Sequence, residues 1–170
     1  MTCGRVFALI LLLTMTGCGY RPQGLEPYRA EVAPVLAIPP FANRSTEVGM
    51  ETIMANAMIH AFSQTKAVRL TTNLKDAELV LEGKVAFLEN SSVAFNEIQR
   101  STVRRVTMKV DFVLKRRASD KTLWKDTVVI QEDYLVDPNY QIGETLKDRG
   151  IRRAAATLAQ RVRDKVLLVI

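Results

Sequence analysis

The sequence predicts an α+β fold: a two-layer sandwich with a four-stranded mixed sheet and two helices on one face, in the order β-α-β-β-β-α. Three observations predict it. Successive segments between Leu79 and Tyr134 alternate apolar and polar residues, as strands with one buried face do. Segments on either side of them repeat apolar residues at intervals of three and four, the period of a helix. A short apolar run ahead of the first helix, closed by two prolines, supplies one more strand.

In chain order, Met1-Thr2-Cys3-Gly4-Arg5 carries one positive charge, and the short apolar run Val6 to Thr16 leads to Gly17-Cys18. A membrane-spanning helix needs about 20 apolar residues. A charged start, a shorter apolar run and a small residue at the cut describe a secretory signal instead. Met15-Thr16-Gly17-Cys18 resembles a lipobox, with Met15 where Leu is usual. The expectation is therefore a lipoprotein signal peptide over residues 1–17, cleavage between Gly17 and Cys18, and acylation, palmitate included, on Cys18. Each buried methylene contributes about 0.8 kcal/mol, so two or three acyl chains hold a protein on a membrane surface. Gly19 follows the lipidated cysteine where Asp would retain an enterobacteria-like lipoprotein in the inner membrane, so the outer membrane is favoured.

Gly19 to Tyr28 is rich in Pro and Gly and has neither period, so residues 18–34 are read as a lipidated N-terminus and tether, and residues 35–170 as one domain. Val35 to Ile38 is strand one, stopped by Pro39-Pro40. Phe41 to Thr46 supplies turn and N-cap chemistry. Helix one follows, with Met50, Ile53, Met54, Ala57, Met58, Ala61 and Phe62 on one stripe. The methionines read as core filler rather than a metal box.

Strand two places Leu79, Leu81, Gly83, Val85 and Phe87 on one face and Glu78, Glu82 and Lys84 on the other. Glu89 to Arg100 reads as a polar loop or hairpin end. Strand three sets Val106, Met108, Val110, Phe112 and Leu114 against Arg105, Thr107, Lys109, Asp111 and Lys115. A turn over residues 116–121 returns the chain as strand four, Leu123 to Tyr134, completing an antiparallel meander. Asp137-Pro138-Asn139 breaks the alternation. Leu146, Ile151, Ala154, Ala155, Leu158, Val162 and Val166 then mark helix two. Both apolar stripes have to be buried on the sheet's apolar face, which leaves Glu78, Glu82, Lys84, Arg105, Lys109 and Asp111 on an uncovered, charged one.

Removing 17 of 170 residues leaves 153, one ordinary domain. Cys3 leaves with the signal and Cys18 is acylated, so no thiol remains for a disulfide. Losing Arg5 takes 24 cations to 23 against 18 anions, a net +5 that suits anionic partners. Behind a secretory signal those are phosphorylated glycolipids, acidic phospholipid or acidic protein, and nucleic acid is excluded. The single His60 shares a helix with the apolar stripe and reads as structural, with no acid or thiol near it in sequence. Phosphate loops, a Gly-x-Ser-x-Gly elbow and metal-ligand clusters do not occur. Glu132-Asp133 would point to opposite faces of a strand. The expectation is a protein that is not an enzyme, with no metal or cofactor.

Several segments together give the chain a family resemblance. They are Gly17-Cys18-Gly19-Tyr20-Arg21, Ala37 to Arg44 (AIPPFANR), Asp76 to Gly83 (DAELVLEG), the basic strand Arg104 to Leu114, Leu123-Trp124 and the terminal amphipathic helix. In this order, from Cys18 onward, they resemble the LptE family of lipopolysaccharide-assembly lipoproteins. The Pro-Phe-x-Asn-Arg piece alone also resembles TolB-like, curli-secretion and penicillin-binding-protein-activator lipoproteins. The LptE resemblance implies a plug within the outer-membrane barrel LptD, on the periplasmic side and in the barrel lumen. It also implies help in assembling that barrel and binding of lipopolysaccharide during delivery to the cell surface. The alternative is a periplasmic lipoprotein that regulates a cell-wall synthase, or a component of another outer-membrane assembly.

Nine cations, from Arg100 to Lys125, fall within 26 residues. Guanidinium forks match phosphate oxygens and make the stronger, bidentate contacts. Arg100, Arg104, Arg105, Arg116 and Arg117 are therefore the candidate lipopolysaccharide-binding residues, through the phosphates of lipid A.

Overall fold

Residues 33–95, 97–98 and 100–170 are described in the computed structural model. The signal peptide over residues 1–17, Cys18 and the tether up to residue 32 lie outside the described residues. The described chain forms β1 (Val35–Ala37), β2 (Ala42–Asn43), α1 (Met50–Ser63), β3 (Arg69–Thr71), β4 (Leu79–Phe95), β5 (Ser101–Arg116), β6 (Lys121–Leu135) and α2 (Tyr140–Leu167). The α+β sandwich and its mixed sheet are as expected. The sheet, however, has six strands rather than four, in the order β3-β1-β4-β5-β6 with β2 also beside β4. The two additional strands span two and three residues, too few to display a period of two.

β1 and β2 lie along one side of β4, both parallel to it, with Leu36 opposite Leu79 and Ala42 opposite Lys84. Pro39-Pro40 separates them, because proline has no N–H to give the ladder. The residues after β2 form a turn rather than the helix cap. Asn43 Oδ1 accepts from Ser45 N (2.9 Å) and Ser45 Oγ (2.7 Å), and Asn43 Nδ2 donates to Glu47 O (2.8 Å). The N-cap of α1 is Gly49, at φ +84, a conformation glycine adopts without steric cost.

β4, β5 and β6 form the antiparallel meander. Its inner face carries Leu81, Val85, Leu88, Val106, Met108, Val110, Phe112, Leu114, Val128 and Ile130 into one core with Met50, Met54, Met58 and Phe62 of α1 and Ile151, Leu158, Val162 and Val166 of α2. Two expectations for β4 are corrected. A bulge between Val85 and Phe87 shifts the register, so Leu88 takes the inner position opposite Met108 and Phe87 turns outward opposite Lys109, 44% exposed. One extra residue in a strand moves all that follow to the other face. Further, of the two readings for Glu89 to Arg100 the hairpin end holds and the polar loop does not: Glu89 to Phe95 is strand, and only the link to β5 is irregular. The turn between β5 and β6 places Asp120 at φ +50, where Asp is tolerated better than most residues. Asn139 caps α2 by accepting from Gln141 N (3.0 Å) and Ile142 N (3.4 Å).

Candidate interaction surfaces

The outer face of the meander is built from charges that pair across strands. Lys84 Nζ lies 3.1 Å from Asp111 Oδ2, and Thr127 Oγ1 donates to Asp111 Oδ1 at 2.8 Å. The hydroxyl first, and the ammonium second, hold the Asp111 carboxyl below its ordinary pKa. Lys115 Nζ meets Glu82 at 3.0 Å, which raises the Lys115 pKa. Arg105 forms a fork on Asp133, Nε to Oδ1 at 2.6 Å and Nη2 to Oδ2 at 2.9 Å. Those bonds lower the Asp133 pKa and raise that of Arg105. Pro39, Pro40 and Ala42 join Glu82, Lys84 and Asp111 around a shallow depression of about 710 Å³ on this face. Every pair is solvent-accessible, so each contributes little to stability. Their effect is a hydrophilic face with most of its charge matched locally.

The structure divides the five candidate arginines between two ends of the sandwich. Arg100 stands in the β4–β5 link and Arg104 and Arg105 at the start of β5, whereas Arg116 closes β5 and Arg117 opens the turn. From Arg104 to Arg116 the strand rises about 40 Å, at roughly 3.3 Å per residue. The two groups cannot grip one headgroup together. Arg104 is exposed and borders a hollow with Tyr134, Tyr140 and Lys147. Arg117 is held by its own bonds, Nε to Ala77 O (2.6 Å) and N to Glu78 O (2.9 Å). Gly17 and Cys18 lie outside the described residues. His60 is exposed on α1 rather than built into the core.

The sequence reading missed an apolar tip. At the end carrying Arg100, Arg104 and Arg105, the meander presents Val93, Phe95 (60% exposed), Ile98 (68%) and Leu135 (66%), with Tyr140 (78%) at the start of α2. The Val93 and Phe95 alternation after Asn90-Ser91-Ser92 was the available signal. Single exposed apolar residues are ordinary, but several grouped at one tip mark a contact surface. Guanidinium groups beside exposed aliphatic and aromatic side chains suit an amphipathic anion. Among the described residues no helix is long and apolar enough to cross a membrane, and no group of His, Cys, Asp and Glu could hold a metal ion.

The LptE family model, described as lipopolysaccharide-assembly, matches residues 33–166, from the first described residue into the last turn of α2. Among curated proteins none matches. Similar solved structures include the rare lipoprotein B from Shewanella oneidensis, 16% identical, covering 78% of this chain and 92% of that one at a TM-score of 0.54. A minor lipoprotein from Acinetobacter baumannii is 12% identical, covering 81% and 94% at 0.52. The PelC dodecamer from Paraburkholderia phytofirmans is 14% identical, covering 76% and 86% at 0.53. At such identities the likeness is one of fold.

Proposed function

The chain belongs to the LptE lipopolysaccharide-assembly family, a non-enzymatic lipoprotein family, and from that membership we propose the role of an outer-membrane lipoprotein anchored through Cys18. It plugs and helps assemble the lipopolysaccharide export barrel LptD, reaching from the periplasmic side into the lumen, and binds lipopolysaccharide on its way to the cell surface. The observation that carries the reading is the reach of the family match, which takes in almost the whole described domain.

The uncovered face of the meander supports the plug. The lumen of an outer-membrane barrel is polar, and a face most of whose charges are paired within the sheet, as Lys84 with Asp111 and Arg105 with Asp133 are, suits a polar cavity. For lipopolysaccharide we assign the apolar tip and its arginines. Phosphates meet Arg100 and Arg104 while acyl chains meet Val93, Phe95 and Ile98.

Co-purification tests the partnership. Native membranes solubilised in mild detergent should yield this protein together with a large barrel protein. Recovery of the protein alone defeats the plug reading, and recovery with an inner-membrane synthase favours a regulator of cell-wall synthesis.

A further inference from the structure

The end opposite the apolar tip combines exposed apolar residues with exposed cations. Leu168, Val169 and Ile170 follow α2 and are 85%, 43% and 40% exposed. Beside them the β5–β6 turn carries Arg116, Arg117 and Lys121, all exposed. Arg116 and Lys121 face each other across the ladder. Pro34, Leu79, Leu123, Val169 and Ile170, with Arg116 and Arg117 and one acid, Glu78, border a cleft of about 370 Å³ at this end. Asp120, the acid of the turn, has its carboxylate 3.8 Å from Lys115 Nζ.

The chain arrives at this same end. Pro34 is part of the cleft wall, and its carbonyl accepts from Arg69 N at 3.0 Å, while Ala33 O accepts from Arg69 Nε at 3.2 Å. Residues 18–33 span at most about 55 Å even when fully extended. A lipid on Cys18 therefore gives this end, where the chain enters the domain, the shorter path to the bilayer, and the apolar tip stands about 40 Å farther along the meander.

We propose that this end of the sandwich docks on anionic phospholipid at the surface of the membrane holding the lipid anchor, with Leu168 and Val169 entering the headgroup boundary and Arg116, Arg117 and Lys121 on the phosphates. The proposal rests on the lipid-anchored reading. Cations bordering a few apolar side chains are the arrangement of interfacial segments. Tethering makes even weak docking intramolecular, at an effective concentration in the millimolar range. A second copy of the chain suits the site less well, because a stable interface needs about 800 Å² from each partner, far more than three apolar residues and a small cleft offer.

The test uses the full lipidated protein reconstituted into vesicles of phosphatidylcholine, alone or mixed with phosphatidylglycerol. Cleavage removes Cys3 and acylation occupies Cys18, so an environment-sensitive probe attaches singly at Leu168→Cys or Val169→Cys. Val48→Cys, 90% exposed in the turn before α1 and outside both proposed sites, serves as control. The expected result is a blue shift and quenching by brominated acyl chains at 168 and 169, stronger with phosphatidylglycerol, and neither effect at 48. Each cation near an anionic surface is worth about 1 kcal/mol, and 1.4 kcal/mol is tenfold. Arg116→Gln with Lys121→Gln should then lower the docking constant about 30-fold and remove most of the preference for phosphatidylglycerol. A probe that stays in water at both positions while the protein still floats with the vesicles overturns the proposal alone. So does a signal that follows protein density rather than lipid charge, the mark of a second copy. Loss of flotation is the failure of the anchored reading, and takes the proposal with it.

Discussion

Gly83 is where a single methyl group should have the largest effect on this fold. A Cβ there would lie 2.1 Å from Phe41 Cε2 and 2.3 Å from Phe41 Cδ2. Contact needs about 3.4 Å or more between carbons, so the ring would have to retreat by over 1 Å. It cannot do so freely, because Phe41 is 3% exposed and stands edge-on to Phe112 with centroids 5.7 Å apart. Overpacking costs about 1 to 3 kcal/mol, and losing a buried Phe outright about 3 to 5. Replacing Gly by Ala also removes unfolded-state freedom worth about 0.4 to 1 kcal/mol, so Gly83→Ala should destabilise by about 2 kcal/mol net. Phe41→Ala vacates the space the methyl needs. The double variant should therefore be no less stable than Phe41→Ala alone, a coupling of about 2 kcal/mol between the two sites. Urea unfolding followed by the single Trp124, whose ring centroid is 6.3 Å from that of Phe112, measures all four proteins. A Gly83→Ala midpoint equal to that of the parent, or a double variant as weak as the two losses combined, would refute the reasoning. The site matters to function because Phe41 leads into β2, and β2 with Gly83 and Lys84 forms a wall of the depression on the polar face.

Three further outcomes are expected. Cys18→Ala should abolish palmitate labelling and leave uncleaved or mislocalised precursor, and Gly19→Asp should move the protein to the inner membrane where that sorting rule operates; labelling that survives Cys18→Ala defeats the lipidation assignment. With purified lipopolysaccharide, Arg100→Glu with Arg104→Glu should weaken binding at least tenfold, as expected from losing charge-assisted bonds of about 1.5 to 3 kcal/mol, while Arg116→Glu with Arg117→Glu should leave it unchanged; the reverse pattern would move the ligand to the other end. Because their hydrogen bonds lower the Asp111 and Asp133 pKa values, the stability they add is complete above the unfolded carboxylate pKa of about 3.9 and lost as pH falls through the lower folded values; urea midpoints should hold from neutral pH to about 5 and decline below 4, less steeply in Asp111→Asn with Asp133→Asn, and an equal decline in both proteins would show that these pairs are not linked to folding.

The long elements of this fold were legible in the sequence because each repeats its period several times. Val106 to Leu114 shows five inward residues in register, and α2 shows its stripe from Leu146 to Val166. β2 and β3 were not legible, since two or three residues complete no period and their pairing is decided by β4 and β1. The bulge beside Ala86 left no local mark either: Phe87 continues the alternation of Val85 as text and departs from it only in the ladder. Of the candidate site, residue types were readable but distances were not. Arg104, Arg105, Arg116 and Arg117 are close in sequence, yet an extended strand converts that closeness into the length of the molecule. The tip was obscured by its polar neighbours, because Asn90-Ser91-Ser92 reads as a loop unless the partner strand that pairs with it is known.

The outermost strand bears on the proposed plug role. β6 runs for 15 residues with a partner on one side only, and a long free edge invites any unpaired strand to add to it. The opposite edge is short where β3 is outermost, with three residues, but beyond β2 the stretch of β4 from Phe87 to Phe95 is paired on the β5 side alone. β6 is protected by charges on its inner face. Asp126 meets Lys165 of α2 at 2.5 Å and Glu132 meets Arg153 of α2 at 3.0 Å. Arg153 Nη2 also donates to the Asp133 carbonyl at 3.0 Å, occupying a backbone acceptor of the strand. An incoming strand that continued the sheet would have to lay its own inner residues against these ion pairs and compete with α2 for them. A protein that stands inside a barrel while that barrel's strands are still pairing meets free strand edges for as long as the pairing lasts. With β6 guarded by Asp126, Glu132 and Arg153, the sandwich can lie against such strands at that edge through its side chains without being drawn into their sheet, which leaves the stretch of β4 from Phe87 to Phe95 as the edge open to pairing.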